Sequence, residues 1–328
     1  MAKVVLHIGT HKTGTTWIQE VMATNTALLA EHGLAYPGIG HASGHHSLIA
    51  EWVKLAKIYW LPEGHIDGWR QIAEAYADTD QTVLLSSEEF TRSNSRVDFE
   101  AIKEELSGFE EIKLVCMVRD QVSHIQSIFL ELSKHRAPPG WVMFLRGALE
   151  RDIASGLFLN YNELYDFLLE SFDPEQIVLA SYDQVKRAEG GIVQYILDQC
   201  DLGIDASILA EPDKGANKSP SPLAGWAAGV VARPDIAASW LPEQAQAALS
   251  ETQGEKRRTT LYTVEELQQT IAHFKPLNDL LTQRLAEHGT DLTIDLPDWS
   301  RDDTVFRDDI KGDFWIKFAS AIYHRPET

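Results

Sequence analysis

The stretch HIGTHKTGTTWIQ, residues 7–19, begins inside an apolar run, KVVLHI at 3–8, and ends in a helical pattern. Gly9 and Gly14 have the separation of the two glycines in a phosphate-binding loop. In the loop that binds nucleoside triphosphates, a Lys comes directly after the second Gly and a Ser or Thr follows it. Here Lys12 comes before Gly14, and two threonines follow that glycine. The stretch predicts an anion-binding turn between a strand and a helix, and leaves open which anion it binds.

Such a turn attracts an anion for two physical reasons. Its backbone N–H groups converge, and the amino terminus of the following helix carries a partial positive charge. Thr13, Thr15 and Thr16 add hydroxyl donors, and Lys12 adds a full charge from inside the loop. The alternative is a Gly-Thr turn that only caps a helix, with Lys12 in solvent. The convergence of Lys, Gly and Thr directly after the first strand favours the anion site.

Apolar runs elsewhere in the chain predict the rest of the fold. They are nearly continuous rather than alternating, as expected for parallel strands covered by helices on both faces. The predicted strands are KVVLHI at 3–8, TVLLS at 82–86, IKLVCMV at 112–118 and IVLAS at 177–181. The first predicted helix begins near Thr15 and carries on one face Ile18, Val21, Met22, Leu28 and Leu29. Strands alternating with helices predict an α/β fold, a parallel sheet flanked by helices.

We expect one domain, 1–328, with two parts. Residues 1–220 form the α/β core, interrupted at 37–70 by an irregular excursion rich in Gly, His and Trp. Residues 221–328 form a mostly helical carboxyl-terminal part.

Three signals mark helix boundaries in that second part. A polar loop precedes a helix that begins near Ser221 or Pro222. Thr263 and Glu266 have the spacing of a capping box at the start of another helix. Pro276 is expected to kink or break this second helix.

Composition restricts the possible partners and the compartment. Basic residues number 29 and acidic residues 49, so the formal net charge is −20 and we expect no nucleic-acid partner. Two cysteines provide no disulfide framework. We find no secretory signal and no apolar run of the roughly 20 residues that span a bilayer. These features predict a cytoplasmic protein without integral membrane contact.

The third predicted strand ends in a cation rather than in a metal-binding acid. A site for a nucleoside triphosphate holds Mg²⁺ through an Asp at the end of a second strand. The strand at 112–118 is followed by Arg119 and then Asp120, so the residue directly at its carboxyl end is a cation. The strand at 82–86 is followed by two glutamates that could hold a metal, so a kinase remains the alternative.

At this point two motifs resemble a known family. HKTGTTW resembles the 5′-phosphosulfate loop of the sulfotransferases that use 3′-phosphoadenosine 5′-phosphosulfate (PAPS). RDQVSHIQS resembles their 3′-phosphate motif, in which an Arg at a strand end is followed eight residues later by a Ser. In this chain these are Arg119 and Ser127. The resemblance implies a P-loop NTPase-like fold, PAPS as co-substrate and no required metal.

The resemblance also implies roles for the residues of the first loop. The implied PAPS contacts are His11, Lys12, Thr13, Gly14, Thr15, Thr16 and Trp17. Lys12 would contact the sulfuryl group and the bridging oxygen, where charge develops on the leaving phosphate. Thr15 and Thr16 would bind the 5′-phosphate with the amides of Thr13 and Gly14, and Trp17 would pack on the adenine.

Further along the chain the resemblance implies two more contacts near the nucleotide. DKGANKS, which begins at Asp213, resembles the family's later Arg-Lys-Gly loop, another 3′-phosphate element. Lys214 and Gly215 match it, whereas Asp213 replaces the Arg, and Lys218 is an alternative contact. Tyr182 resembles the Tyr that follows the fourth strand in the family.

An alcohol acceptor requires a general base, and two regions offer one. Glu88 follows the strand at 82–86, at the sheet edge where ligands bind, and related enzymes carry a His or Glu there. Glu89 is its neighbour and a second candidate. His45 and His46, in HASGHHSL, are further candidates as base or as hydroxyl binder. That stretch has no matching Cys or acidic cluster, so no metal site is predicted.

The sequence therefore predicts a PAPS-dependent sulfotransferase that transfers a sulfuryl group to a hydroxyl by in-line displacement. The alternatives are a P-loop kinase using ATP and Mg²⁺, and a nucleotide-binding protein without activity. A small molecule or a saccharide would be the acceptor. Its identity and the choice of base stay open at this stage, and the protein could be a homo-oligomer.

Overall fold

A parallel sheet with helices on both faces is the central feature of the protein. The structure, a computed structural model, describes residues 2–94, 97–137, 140–212, 220–254 and 257–325. Its strands are β1 (Lys3–His7), β2 (Leu34–Ala35), β3 (Thr82–Ser86), β4 (Glu111–Val118), β5 (Ile153–Ala154), β6 (Leu157–Phe158), β7 (Ile177–Ser181), β8 (Arg258–Thr259) and β9 (Thr304–Val305). The sheet has five strands in the order β2-β3-β1-β4-β7. Every neighbouring pair in it is parallel, which confirms the predicted fold class.

The helices alternate with these strands and then dominate the carboxyl-terminal part, as predicted. They are α1 (Thr15–Thr24), α2 (Thr26–Glu31), α3 (His65–Tyr76), α4 (Phe99–Glu105), α5 (Gln121–His135), α6 (Trp141–Arg151), α7 (Tyr161–Leu169), α8 (Tyr182–Arg187), α9 (Gly191–Asp198), α10 (Pro222–Ala232), α11 (Leu241–Gln253), α12 (Val264–Ala286) and α13 (Gly312–Tyr323).

Two apolar cores cover the two faces of the sheet. Successive side chains of a strand point to opposite faces, so Val4 and Leu6 join one core and Val5 joins the other. The first core includes residues of α3, α4 and α7, and the second includes residues of α1, α8 and α9. Coverage on both faces explains why the strands are apolar runs without alternation.

The chain divides into two compact units. Unit 1 contains the five-stranded sheet and consists of Met1–Arg119, Gly156–Asp213 and Leu277–Asp295. Unit 2 consists of Asp120–Ser155, Lys214–Pro276 and Leu296–Thr328. In unit 2, helices α5, α6, α10, α11 and α13 pack together, and β8 pairs in parallel with β9.

The helix predicted from Thr15 is interrupted at Asn25. The Asn25 side chain donates to the carbonyl oxygens of Val21, at 2.8 Å, and of Ala210, at 2.9 Å. It also accepts a hydrogen bond from the backbone N–H of Ala210 at 2.8 Å. This buried amide fixes the chain between α1 and α2, and a periodicity argument could not detect it because Ala210 is far away in sequence.

Helix boundaries in the carboxyl-terminal part agree with prediction, with one exception. Ser221 precedes α10, and Thr263 and Glu266 form the expected reciprocal bonds, at 3.1 and 3.0 Å. The expected break at Pro276 was wrong, because α12 continues through it. A proline removes one backbone hydrogen bond, and the buried Phe274 and Leu281 help to hold the helix on either side of it.

The excursion after β2 is irregular only up to residue 64 rather than 70, because α3 begins at His65. Short 3₁₀ turns occur at His46–Leu48 and Lys57–Tyr59. Trp69 of α3 is buried and donates from Nε1 to the carbonyl oxygen of Leu48 at 2.9 Å, so it is a core residue. Among the described residues, no helix has both the length and the apolar character needed to cross a membrane.

Candidate active site

The loop after β1 is attached to the neighbouring strand at its beginning. The backbone N–H of Ile8 donates to the carbonyl oxygen of Val115 at 2.9 Å, and that of Thr10 to Met117 at 3.2 Å. The Thr10 hydroxyl also donates to the Met117 oxygen at 3.1 Å. These bonds to β4 place the loop at the carboxyl end of the sheet, where the ends of β1, β3, β4 and β7 meet.

Two left-handed residues shape the second half of the loop. Lys12 has φ 68°, and Gly14, the residue before α1, has φ 79°. The backbone of Gly14 favours glycine, and a Cβ there would lie only 2.4 Å from Cδ1 of Ile192, so that methyl group would have to move. Gly14 has no side chain that could cap α1, which leaves the first-turn amides for an anion. The left-handed Lys12 is a strained feature of the kind found at functional sites.

The threonines of the loop have different surroundings. Thr13 is fully buried, and its hydroxyl donates to the carbonyl oxygen of Thr10 at 2.6 Å, so that hydroxyl stabilises the loop itself. This differs from the expectation of a hydroxyl donor for a ligand, and only the amide of Thr13 is left for that role. Thr15 is buried, whereas Thr16 and Trp17 are exposed. The indole of Trp17 is therefore not a core residue.

Arg119 connects the end of β4 with this loop. Its Nη1 donates to the carbonyl oxygen of Lys12 at 3.2 Å. Its guanidinium carbon lies 5.5 Å from the ring centre of Tyr182, the first residue after β7. The Nε atom of Arg119 is buried and has no hydrogen-bond partner among the residues that the structure describes. A buried donor without a partner is costly unless a ligand satisfies it.

Glu89 is held by two basic side chains. Arg92 contacts both carboxylate oxygens from Nε and Nη2, and His11 Nε2 lies 3.6 Å from Oε1. Burial acts to raise the pKa of Glu89, but the favourable contacts with His11 and Arg92 outweigh it and lower the pKa to about 2. A carboxylate with these partners is a poor proton acceptor.

Glu88, in contrast, contacts a neutral amide. Gln19 Nε2 donates to Glu88 Oε2 at 2.9 Å and to Ser86 Oγ at 3.3 Å. Glu88 is half-buried, and the Thr91 hydroxyl donates to its backbone oxygen at 3.0 Å. Glu88 is thus the glutamate whose carboxylate is not bound to a basic side chain among the contacts described.

His45 is buried, and both of its ring nitrogens are engaged. Its Nδ1 accepts from the backbone N–H of Ser86 at 3.0 Å, and its Nε2 lies 2.8 Å from the carbonyl oxygen of Pro37. An Nδ1 acceptor requires the proton on Nε2, which then donates to Pro37. Burial is the main reason that the pKa of His45 is lowered to about 4. The ring is neutral and connects the excursion to the end of β3.

Two further histidines lie near the end of β3. His46 Nδ1 is 2.8 Å from Ser87 Oγ, and its ring contacts the Tyr59 ring edge-on. His7, the last residue of β1, is fully buried with Nδ1 2.8 Å from Ser86 Oγ. Burial lowers the pKa of His7 to about 4 against the opposing charge of Glu88.

Three further predicted contacts are Ser127, Lys214 and Gly215. Ser127 is half-buried on α5 and belongs to unit 2. Lys214 and Gly215 lie outside the described residues. Within the part of the chain that the structure describes, no group of three His, Cys, Asp or Glu side chains could hold a metal ion.

Sequence reasoning did not single out Gln19, Arg92, His7 or Ser86. A signal existed for Gln19, because it falls on the same helical face as Thr15, Ile18 and Met22, where an apolar residue is expected. A polar side chain on a buried face requires partners, but the sequence does not say which ones.

A comparison with protein-family models shows to which family of proteins the chain is related. The model described as "Sulfotransferase family" matches residues 5–206, which is more than half of the 328 residues. The chain belongs to the sulfotransferase family. The match includes the loop after β1, both glutamates after β3, and Arg119.

Solved structures of other sulfotransferases resemble this member of the family distantly. A sulfotransferase from Alicyclobacillus acidocaldarius is 12% identical over 86% of this chain and 95% of that chain, with a TM-score of 0.49. The sulfotransferase domain of the olefin synthase of Synechococcus PCC 7002 is 16% identical over 66% of this chain and 77% of that chain, with a TM-score of 0.35. No curated protein matches the chain.

Proposed function

We propose that this member of the sulfotransferase family takes the sulfuryl group from PAPS and transfers it to a hydroxyl of a small molecule or saccharide. One observation carries the choice of donor. Arg119, whose Nε is buried without a partner among the described residues, lies beside a loop whose amides begin a helix. The two features together fit a nucleotide with separate 5′- and 3′-anionic groups.

Residues of the loop would hold the 5′ end of this donor. The amides of Thr13 and Gly14 and the side chains of Thr15 and Thr16 would bind the 5′-phosphate. Lys12 would contact the sulfuryl group, and the exposed Trp17 would pack on the adenine. His11 contacts Glu89 and would contribute to the loop's position rather than bind the donor directly.

The 3′-phosphate would be bound by Arg119. Its guanidinium provides a charge-assisted donor, and Tyr182 supports it from one side. Ser127, Lys214 and Gly215 stay predicted contacts for the same phosphate. An adenosine nucleotide without a 3′-phosphate would leave the Nε donor unsatisfied, so this group provides discrimination against ATP and ADP.

When bound, PAPS would supply a sulfuryl group for transfer to the acceptor hydroxyl by in-line displacement. Lys12 and the amides at the start of α1 would stabilise the negative charge that develops on the leaving phosphate. This sulfuryl group carries less charge than a terminal phosphate, so these donors could act without Mg²⁺.

We assign the general base to Glu88. Glu89 is bound by Arg92 and His11 and has a pKa of about 2, and both ring nitrogens of His45 already have partners. Glu88 is half-exposed at the end of β3 and contacts only the neutral amide of Gln19 among its described side-chain partners. It would accept the proton from the acceptor hydroxyl.

Calorimetric titration with adenosine 3′,5′-bisphosphate tests the donor assignment. The same protein is titrated with ADP plus Mg²⁺, the pair expected for a kinase. We expect the bisphosphate to bind more tightly and without any need for Mg²⁺. Tighter binding of ADP with Mg²⁺ would contradict the proposal and favour the kinase. Binding of the bisphosphate without transfer to any acceptor in a screen with labelled PAPS would favour a nucleotide-binding protein without activity.

A further inference from the structure

We propose that Gln19 is a positioning residue that orients the carboxylate of Glu88, and that Gly44 provides the space for its amide. The inference rests on the proposed function, because it gives Glu88 a defined geometry as the base.

The Gln19 amide is held by two acceptors at the end of β3. Gln19 is buried, with 4% of its surface exposed. An amide nitrogen carries two protons, and here they are directed to Glu88 Oε2 at 2.9 Å and Ser86 Oγ at 3.3 Å. Ser86 Oγ is itself 2.8 Å from Nδ1 of the buried His7. The amide is therefore held by Ser86, whose hydroxyl is fixed by His7, and the amide in turn holds the carboxylate of Glu88.

The backbone of Gly44 packs against the Gln19 amide and leaves no room for a side chain. A Cβ at Gly44 would lie 2.5 Å from Cδ, 2.6 Å from Oε1 and 2.8 Å from Nε2 of Gln19. No side chain larger than hydrogen fits there unless the amide moves. The next residue, His45, donates from its backbone N–H to the Ser86 carbonyl oxygen at 2.7 Å, so the segment that contacts the amide is anchored.

This arrangement links the base to the anion-binding loop through one short helix. Gln19 lies on α1, whose amino terminus is the end of the loop at Gly14. One rigid helix thus sets both the position of the loop amides and the position of Glu88 Oε2. With Oε2 bound by Gln19, the other carboxylate oxygen is left for the acceptor proton. Misplacement of a reacting group by about 1 Å can cost roughly 100-fold in rate.

The test uses water as the acceptor, so it requires no knowledge of the natural one. The oxygen of water forms a bond to sulfur while the bond from sulfur to the bridging phosphate oxygen breaks. The electron pair of that bond leaves with the phosphate, one proton of water passes to Glu88, and the products are hydrogen sulfate and adenosine 3′,5′-bisphosphate. Release of the bisphosphate from PAPS is measured for wild type, Gln19→Met, Glu88→Gln and the double variant.

We expect Gln19→Met to lower this rate about 10-fold. Its Kd for adenosine 3′,5′-bisphosphate should stay within about 2-fold of wild type, because the amide already contacts Ser86 and Glu88 and is not among the proposed donor contacts. In the Glu88→Gln background the same substitution should have no further effect on the rate. An equal effect in both backgrounds would mean that Gln19 acts elsewhere and would overturn the inference.

Gly44→Ala tests the same geometry without removing the amide. It should lower the rate in the same way as Gln19→Met, because the methyl group displaces the flexible end of Gln19. Gly38→Ala is the matched control, since a Cβ at Gly38 has no atom within 4 Å. A normal rate for Gly44→Ala, with the protein folded, would overturn the inference.

The two proposals fail in different ways. Absence of bisphosphate binding to wild type would contradict the proposed function itself. Bisphosphate binding together with a wild-type rate no higher than that of Glu88→Gln would leave the donor assignment intact and overturn the role of Gln19.

Discussion

Arg119 Nη1 donates a hydrogen bond to the carbonyl oxygen of Lys12, 3.2 Å away, across 107 positions of the sequence. Lys12 has a left-handed backbone in the loop after β1, and Arg119 directly follows β4, the strand next to β1. The cation proposed to bind the 3′-phosphate therefore also holds the residue proposed to contact the sulfuryl group. This contact would couple the two ends of the proposed donor site through a single guanidinium group.

Arg119→Ala should weaken the binding of adenosine 3′,5′-bisphosphate by roughly 10- to 100-fold, the loss of one or two charge-assisted hydrogen bonds. Arg119→Lys keeps the charge but not the planar set of donors, so we expect a smaller loss. Calorimetry measures both. Adenosine 5′-monophosphate, which has no 3′-phosphate, is the control ligand and should lose less affinity than the bisphosphate. Equal losses for both ligands would mean that Arg119 only supports the loop.

A pair of substitutions at Lys12 separates backbone strain from side-chain function. Lys12→Ala and Lys12→Gly both remove the ammonium group, and both should abolish measurable sulfuryl transfer. Because φ is 68°, Gly adopts this backbone at a lower cost than Ala, so the Gly variant should be more stable by about 1 kcal/mol. Urea unfolding measures the difference. Equal stability of the two variants would contradict a strained Lys12.

Substitution of the two glutamates should have different effects on stability. Glu89→Gln removes a charge that Arg92 and His11 require, and should lower the free energy of unfolding by roughly 1–3 kcal/mol at pH 7. Glu88→Gln keeps an oxygen that can accept from Gln19, so it should change stability by less than about 1 kcal/mol. Urea unfolding measures the free energy of unfolding of both variants, and equal values for the two would contradict this prediction.

The pH dependence of Glu89 has a defined direction. Its pKa is lowered from 4.5 to about 2 on folding, so its stabilising contribution is present above pH 4.5 and is lost as the pH falls towards 2. Wild type should therefore lose more stability than Glu89→Gln over this interval. Parallel losses in the two proteins would contradict the ion pairs with Arg92 and His11.

The two buried histidines should also make the protein less stable in acid, and their effect should begin at a higher pH than that of Glu89. Burial lowers the pKa of both His7 and His45 from 6.5 to about 4. In the unfolded chain these rings bind protons near pH 6.5, whereas in the folded protein they stay neutral. Stability is therefore complete well above pH 6.5 and falls as the pH decreases from 6.5 to 4, by about 2.5 kcal/mol per ring at pH 4.5.

Two measurements check this prediction. Nuclear magnetic resonance titration of the ring protons should give pKa values near 4 for two histidines. The His45→Gln variant should lose less stability than wild type between pH 7.5 and 4.5. Titration of both rings near pH 6.5 would contradict their burial as neutral groups.

Much of the fold could be predicted because its signals are local. The strands at β1, β3, β4 and β7 are short runs of β-branched and other apolar residues, and the capping box at Thr263 is a spacing of three residues. The interruption at Asn25 could not be predicted from such a pattern, because its partner Ala210 is 185 positions away. The continuous helix through Pro276 has the same explanation: packing overrode a local preference.

The candidate site was predictable in its location but not in its assignment of roles. Glu88 and Glu89 are adjacent and chemically identical, so their sequence context cannot distinguish a carboxylate that contacts a neutral amide from one bound by Arg92. The same holds for His45 and His46, of which only the first has both ring nitrogens engaged in described hydrogen bonds. The sequence places Gln19 on a helix but gives no role for its side chain, because its partners Ser86 and Glu88 are 67 and 69 positions away.

The sequence by itself determined that a strand, a glycine turn and a helix follow one another, with a cation directly after a neighbouring strand. It could do so because backbone conformation at Gly14, strand burial and helix initiation depend on residues a few positions apart. Only the tertiary structure decided which carboxylate is bound by basic side chains, which histidines are buried, and that the amide of Gln19 contacts Glu88. These properties depend on burial and on hydrogen bonds between distant segments, and such contacts exist only after the sheet has brought the strand ends together.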